Sequence, residues 1–197
     1  MKTDIILAGV GGQGILSIAT VIGLAAMKKG LNIKQAEVHG MSQRGGAVQS
    51  NLRISSKPIS SDLIPEGQAD VILSVEPMEA LRYLPFLRPE GWVVTNIRPF
   101  RNIPDYPDME ALIPQVEALP RVVTLDADQM ASDSGNARSS NMVMLGAATP
   151  FLNLSPQEME EAITEIFQRK GPGVVQTNLC AYRSGLEIAR KRQEASR

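Results

Sequence analysis

Histidine and cysteine occur once each in the 197 residues, as His39 and Cys180. One cysteine makes no disulfide within the chain and cannot alone ligate a thiolate-bound metal cluster. One histidine, with no second histidine or cysteine near it, is a poor metal site. Nor is there a serine, histidine and acid constellation of the kind a hydrolase nucleophile needs, and His39 reads as a core or loop histidine. Charge of one sign is lacking: 20 Lys and Arg stand against 21 Asp and Glu, for a formal charge of −1. That excludes a broad attraction to nucleic acid or acidic lipid. No apolar run approaches the roughly 18 residues of a membrane-spanning helix. The opening stretch carries Asp4 ahead of its apolar run and glycines after it, so it reads as a first strand and not as a signal peptide. These absences leave a cytoplasmic α/β chain, expected to form a single domain over residues 1–197 around one core.

Patterning supplies the elements. A short apolar run at 3–8 is buried-strand in length, a glycine loop follows at 9–14, and residues 15–29 have apolar positions at helical spacing up to Gly30. Residues 33–38 read as a second strand. Residues 39–46 are a polar, glycine-rich loop, and 47–55 alternate like a strand with one wet face. Further strands are expected at 70–75, 91–95 and 122–125. Helices are expected at 78–84, with Glu76 or Pro77 at its start, and at 107–119, interrupted near Pro114. Residues 126–140 read as a loop and 142–152 as a helix apolar nearly all round, which core packing or a subunit interface, self-association included, explains equally. Ser155-Pro156-Gln157-Glu158 has the form of a capping box opening a helix to about Lys170. A last helix is expected from Asn178 to about Gln193. The alternation implies a doubly wound, mostly parallel sheet with a Rossmann-like start and a small antiparallel excursion after the second strand.

Three segments carry candidate chemistry. Gly9, Gly11 and Gly14 fit G-x-G-x-x-G between a strand and a helix, where backbone amides meet an anion. Gly12 frees the loop further, and Gln13 offers a donor and an acceptor at its tip. Glu37 stands near the end of the second strand, where a dinucleotide site wants an acid, but the strand at 47–55 is expected to crowd that crevice. A nicotinamide or flavin site, another anion or cofactor edge, and a structural turn all fit this loop. The second segment, Ser42-Gln43-Arg44-Gly45-Gly46, follows strand two and should share the same carboxyl edge, with Arg44 able to fork onto a phosphate or carboxylate or to close an internal salt bridge. Asn51 and Arg53, on the polar face of the next strand, would extend that patch. In the third segment Asn136 or Asn141 caps the apolar helix or serves a ligand, and Arg138 contacts a ligand or a neighbour.

Gly9–Gly14, the stretch Met41-Ser42-Gln43-Arg44-Gly45-Gly46 and the stretch Gly135-Asn136-Ala137-Arg138 through Asn141-Met142-Val143-Met144-Leu145-Gly146 together resemble the gamma domain of the 2-oxoacid:ferredoxin oxidoreductases, nearest in the indolepyruvate branch. The resemblance runs in order over nearly the whole chain. It implies oxidative decarboxylation of a 2-oxoacid on thiamine diphosphate, with electrons passing through iron–sulfur clusters to ferredoxin and the acyl group to coenzyme A. Indolepyruvate or another aryl pyruvate would give the arylacetyl-CoA. Pyruvate, 2-oxoglutarate or branched-chain 2-oxoacids remain alternatives, as does an independent dinucleotide-binding module or a purely structural partner. Thiamine diphosphate, magnesium and the clusters are implied for a larger partner subunit, so this chain would hold no cofactor or metal, supply no catalytic nucleophile and not act alone. By resemblance Gly11, Gly12, Gln13, Gly14, Ser42, Gln43, Arg44, Gly45 and Gly46, and more loosely Asn136 and Asn141, would position coenzyme A or substrate.

Overall fold

The computed structural model describes residues 1–39, 45–101 and 103–195. Its strands are β1 (Lys2–Val10), β2 (Asn32–His39), β3 (Ala47–Ser55), β4 (Ala69–Ser74), β5 (Leu87–Asn96) and β6 (Val122–Leu125). They form one sheet in the order β2-β3-β1-β4-β5-β6. β1, β4, β5 and β6 are mutually parallel, while β3 lies antiparallel between β1 and β2. The antiparallel excursion is therefore not an edge appendage. It is wedged into the place where a plain mononucleotide fold pairs its first two strands.

Both faces of the sheet are covered, which is why β1 is an almost unbroken apolar run. Its side chains alternate between two cores. Ile5 and Leu7 join a large core under α1 (Ile15–Lys28), α5 (Ser140–Ala148), α6 (Pro156–Phe167) and α7 (Pro172–Ala195). Ile6 and Ala8 join a smaller core reached by Ala80 of α2 (Pro77–Arg82) and Val116 of α3 (Met109–Glu117). The capping box at Ser155 and Glu158 is formed in full. Every residue from Met142 to Ala148 is buried, so the apolar helix is core, not subunit interface.

Four expectations are corrected. Residues 126–140 are not all loop: Asp126 accepts from the Gln129 amide and caps α4 (Ala127–Asp133), too short and polar to show a period. α3 runs through Pro114 without a break, although the proline sits inside the helix and removes the one backbone bond it would have donated to Glu110. β5 begins at Leu87, four residues before Gly91. The final helix begins at Pro172, not Asn178: Gly171 takes φ +96° to end the preceding turn, and proline is preorganised for the first helical position.

A buried acid pair follows β4. Glu76 accepts from the Glu79 amide to cap α2, and it also accepts from the Tyr106 hydroxyl. Glu79 is 1% exposed; Oε2 meets Arg82 Nε at 3.0 Å, but Oε1 is buried with no hydrogen-bond partner among the described residues. Burial pushes its carboxyl above the ordinary carboxylate range, against the lowering pull of Arg82. A raised native value means that the stability it confers is complete below the unfolded value and lost as pH rises through the native one. Glu79→Gln is therefore expected to melt a few degrees above wild type at neutral pH and to lose that advantage at about pH 4. Parallel melting curves at both pH values check this, and an advantage that is independent of pH would count against it.

Candidate functional site

The glycine loop closes the carboxyl end of β1. Gly12 and Gly14 take φ +104° and +83°, and Gly14 caps α1 without a side chain of its own. The amides of Gly12, Gly14, Ile15 and Leu16 meet no acceptor among the described residues. Such a row of open donors at a helix start favours an anion.

The second loop is tied to the first where it can be seen. The Gly11 amide donates to the Gly46 carbonyl at 2.9 Å, and the Gly45 amide to the Gly11 carbonyl at 3.4 Å, so the β1–β3 ladder continues into both loops. Ser42, Gln43 and Arg44 lie outside the described residues. Gln13 does not project from the loop tip. Its Oε1 accepts from the Val10 amide at 2.8 Å and its Nε2 donates to the Val75 carbonyl at 3.4 Å, pinning the loop to the ends of β1 and β4. The close approach of Gly9 to Val75 serves the same junction: a Cβ there would stand 2.3 Å from Val75 Cγ2.

The third segment reaches the loop through one residue. Asn141 Nδ2 donates to the Gly14 carbonyl at 3.4 Å across 127 positions of chain. Asn136 instead uses both ends locally, accepting from the Arg138 amide and donating to Ser139 Oγ, as the cap of a 3₁₀ turn. Two other expected patch residues are elsewhere. Arg53 forks onto Asp4, at 2.8 and 3.0 Å, at the amino end of β1. Asn51 is buried and accepts from the Ile64 amide. The alternation of 47–55 was legible, but which end of the sheet each residue occupies depends on antiparallel register.

The loop is a wall between two clefts. One, of about 450 Å³, lies toward β3 and β2, lined by the Gly11–Gly12 turn, Gly14, Ile15, Leu16, Glu37 and Val48. β3 does stand between Glu37 and β1, yet it does not fill the crevice. The other, of about 420 Å³, lies where the chain leaves β1 on one side and β4 on the other, the point at which open α/β sheets take ligands. Gln13, Asn96, Phe100, Asp128, Arg138 and Asn141 are on its walls. Asn96 braces it, donating to Asp128 Oδ2 at 2.8 Å and accepting from the Ala127 amide at 3.0 Å. Arg138 is exposed and has no ion-pair partner among the described residues. Asn96 and Asp128 were missed in the sequence; the only signal was a polar residue closing an apolar strand.

Among the described residues no group of three or more His, Cys, Asp or Glu could hold a metal ion, and Cys180 stands alone and exposed. No helix among them is long and apolar enough to cross a membrane. This donor set does not fit magnesium diphosphate or an iron–sulfur cluster.

Comparison with known proteins gives the lineage. The pyruvate ferredoxin/flavodoxin oxidoreductase family model matches residues 4–188. Indolepyruvate oxidoreductase subunit IorB of Pyrococcus horikoshii is 38% identical, over 95% of this chain and 96% of that protein. The subunit of the same name from Archaeoglobus fulgidus is 37% identical, over 96% of each. The fold recurs in the 2-oxoglutarate:ferredoxin oxidoreductase of Magnetococcus marinus, at TM-score 0.75 and 24% identity, where this chain is covered to 96% but spans 31% of the longer chain. This chain belongs to the pyruvate ferredoxin/flavodoxin oxidoreductase family and is a subunit of a 2-oxoacid:ferredoxin oxidoreductase.

Proposed function

We propose that this chain completes a cytoplasmic, thiamine diphosphate- and coenzyme A-dependent oxidoreductase acting on indolepyruvate and related aryl pyruvates. The products are the arylacetyl-CoA, carbon dioxide and reduced ferredoxin. A larger partner subunit carries the thiamine diphosphate and iron–sulfur clusters, whose chemistry is decarboxylation and electron transfer. The indolepyruvate assignment is supported by two IorB relatives matched almost end to end.

The observation that carries the reading is the junction of the two glycine segments at one sheet edge, with amides that meet no acceptor among the described residues. Coenzyme A and a 2-oxoacid both bring negative groups to such an edge. Gly12 and Gly14 receive them through backbone donors, Arg44 supplies a forked cation from the adjoining loop, and Arg138 faces the cleft at the strand crossover. Gln13 and Asn141 act at one remove, holding the loop in place. None of these residues makes or breaks a substrate bond.

The test is anaerobic co-purification with the partner, followed by 2-oxoacid- and coenzyme A-dependent reduction of ferredoxin. Arg44→Ala in the reconstituted complex is expected to lower kcat/KM for coenzyme A or the 2-oxoacid by about tenfold or more, the loss of a charge-assisted fork. Turnover of pyruvate or 2-oxoglutarate without turnover of indolepyruvate would overturn the substrate, and failure to capture a partner under gentle conditions would overturn the complex.

A further inference from the structure

Two adjacent residues at the end of β4 gather three walls of the crossover cleft. The Val75 carbonyl accepts from Gln13 Nε2 of the glycine loop and from Asn96 Nδ2 at the end of β5, each at 3.4 Å. The Glu76 carboxylate holds the third wall. Its Oε1 accepts from the Phe100 amide at 3.4 Å and from the Tyr106 hydroxyl, while Oε2 accepts from the Glu79 amide at 2.9 Å. Glu76 is fully buried, and those donors are all neutral. A carboxylate withdrawn from water is costly unless it is well bonded, and bonds to a charged acceptor are the strong ones. Burial, and then the bond to Glu76, push the Tyr106 hydroxyl above the ordinary tyrosine range, so it remains a donor at any working pH. The tie falls on a segment that needs one. The described residues between β5 and α3 form no helix or strand, so side chains must place them. At the start of the segment the Ile97 amide donates to the Leu125 carbonyl and Arg98 Nε to Asp126. Farther on, Glu76 holds it at Phe100 and again at Tyr106. The Phe100 side chain so placed is 42% exposed and lines the cleft with Arg138 and Met144.

We propose that Glu76 and Tyr106 are positioning residues for the reaction, acting through Phe100, whose ring packs on a flat aromatic group of the ligand in the crossover cleft. This role rests on the oxidoreductase reading. Coenzyme A and an aryl 2-oxoacid each bring a flat ring together with an anionic group. The cleft of about 420 Å³ presents the complement: an aromatic face at Phe100, a thioether at Met144 and the Arg138 cation. A ring carried on a segment without helix or strand serves a ligand only if it is held, since a mobile one must be ordered when the ligand arrives. Glu76 supplies that order in advance. It is not on the cleft wall itself, and it reaches the ligand only through the segment it ties down.

The test uses the reconstituted complex, with coenzyme A and indolepyruvate varied in turn. Tyr106→Phe deletes the hydroxyl and keeps the ring. The KM of one co-substrate is expected to rise about fivefold or more with a much smaller change in kcat, because a wall in place for a fraction of the time lowers apparent affinity by that fraction. A rise for coenzyme A alone identifies its adenine as the group on Phe100, and a rise for indolepyruvate alone identifies the aryl ring. Phe100→Leu, which keeps apolar bulk and loses the ring face, should raise the same KM by roughly three- to tenfold. In the Phe100→Leu background Tyr106→Phe should add less than about twofold, because both act through one ring. On the full chain without its partner, trypsin should cut after the exposed Arg101 about tenfold faster in Tyr106→Phe than in wild type, as read by mass spectrometry. An unchanged rate of that cut overturns the tie. A Tyr106→Phe complex with wild-type KM for both co-substrates overturns the role, whatever its melting temperature, and so do two changes whose effects multiply in full. No 2-oxoacid turnover by the wild-type complex removes the oxidoreductase reading and this role with it. Turnover by the wild type that the variants match removes this role alone.

Discussion

Gly146→Ala is expected to cost the chain about 3 kcal/mol of stability or more, the upper end of what overpacking a core costs. The reason is a helix crossing with no spare room. A Cβ at Gly146 of α5 would stand 1.9 Å from the Tyr182 carbonyl oxygen of α7, and a Cβ at Gly185 of α7 would stand 1.9 Å from the Val143 carbonyl oxygen of α5. Both obstacles are backbone, so no rotamer change relieves them. The helices must part, and parting them uncovers Met142, Val143, Ala181 and Tyr182, all fully buried at the crossing. Against a total of about 5–15 kcal/mol, such a loss lowers the melting temperature by roughly 6–12 °C in a chain of this size. Gly185→Ala should behave alike. Gly173→Ala is the internal control: it lies in the first turn of the same α7, nothing stands within 4 Å of its added Cβ, and alanine there should be neutral or mildly stabilising. Calorimetric melts of the three variants settle the matter, and a Gly146→Ala protein that melts with wild type would show that the helices do not cross this closely.

That crossing marks the boundary of what the sequence discloses. The segment around Gly146 reads as an apolar helix, and nothing in it says that its glycine meets Gly185. Local signals fared well where one element carries its own cause. β1 is a short apolar run ended by glycines, and the capping box at Ser155 needs only two residues three positions apart. Ala47–Ser55 is a strand, as its alternation implies, but the wet face expected of it is covered: none of its residues is exposed and Asn51 is buried. The strand's position between β1 and β2 was not legible, because strand order is fixed by long-range pairing and not by period. α4 escaped notice because about two capped turns of mixed polarity carry no periodic signal.

The glycine loop shows the same division. Its φ demands were legible only in part: Gly14 of the motif takes φ +83°, but Gly11 takes no positive φ, and the φ of +104° falls on Gly12, outside the spacing. The direction of the Gln13 side chain was not legible at all. An amide at a loop tip is free to face a ligand or its own backbone, and here the Val10 amide and the Val75 carbonyl claim both ends. Arg53 is the converse case. Its charge suggested a ligand, but register set it beside Asp4, whose carboxylate is 1% exposed and is shared between Arg53 and the half-exposed Lys2.

Gly14→Ala is expected to separate folding from function. Alanine at φ +83° costs about 1–2 kcal/mol in the left-handed region. Its Cβ would also stand 2.6 Å from Asn141 Nδ2, the group that donates to the Gly14 carbonyl. Asn141 cannot retreat as a whole, because Met142 and Leu145 beside it are buried without exposure in the large core. Either its side chain swings away and the bond is lost, or the loop shifts and carries the amides of Gly14, Ile15 and Leu16 with it. A displacement of about 1 Å at a positioning group can cost roughly a hundredfold in rate. Turnover of the reconstituted complex should therefore fall by about ten- to a hundredfold, while the melting temperature of the chain drops by only about 3–6 °C. Pairing the change with Asn141→Ala removes the collision and leaves the backbone strain. If the contact is what displaces the loop, the double variant recovers part of the lost turnover without recovering stability. If it recovers stability but no turnover, the strain and not the collision governs the loop, and Asn141 has no part in placing it. Full activity in Gly14→Ala would remove the loop's geometry from the reaction altogether.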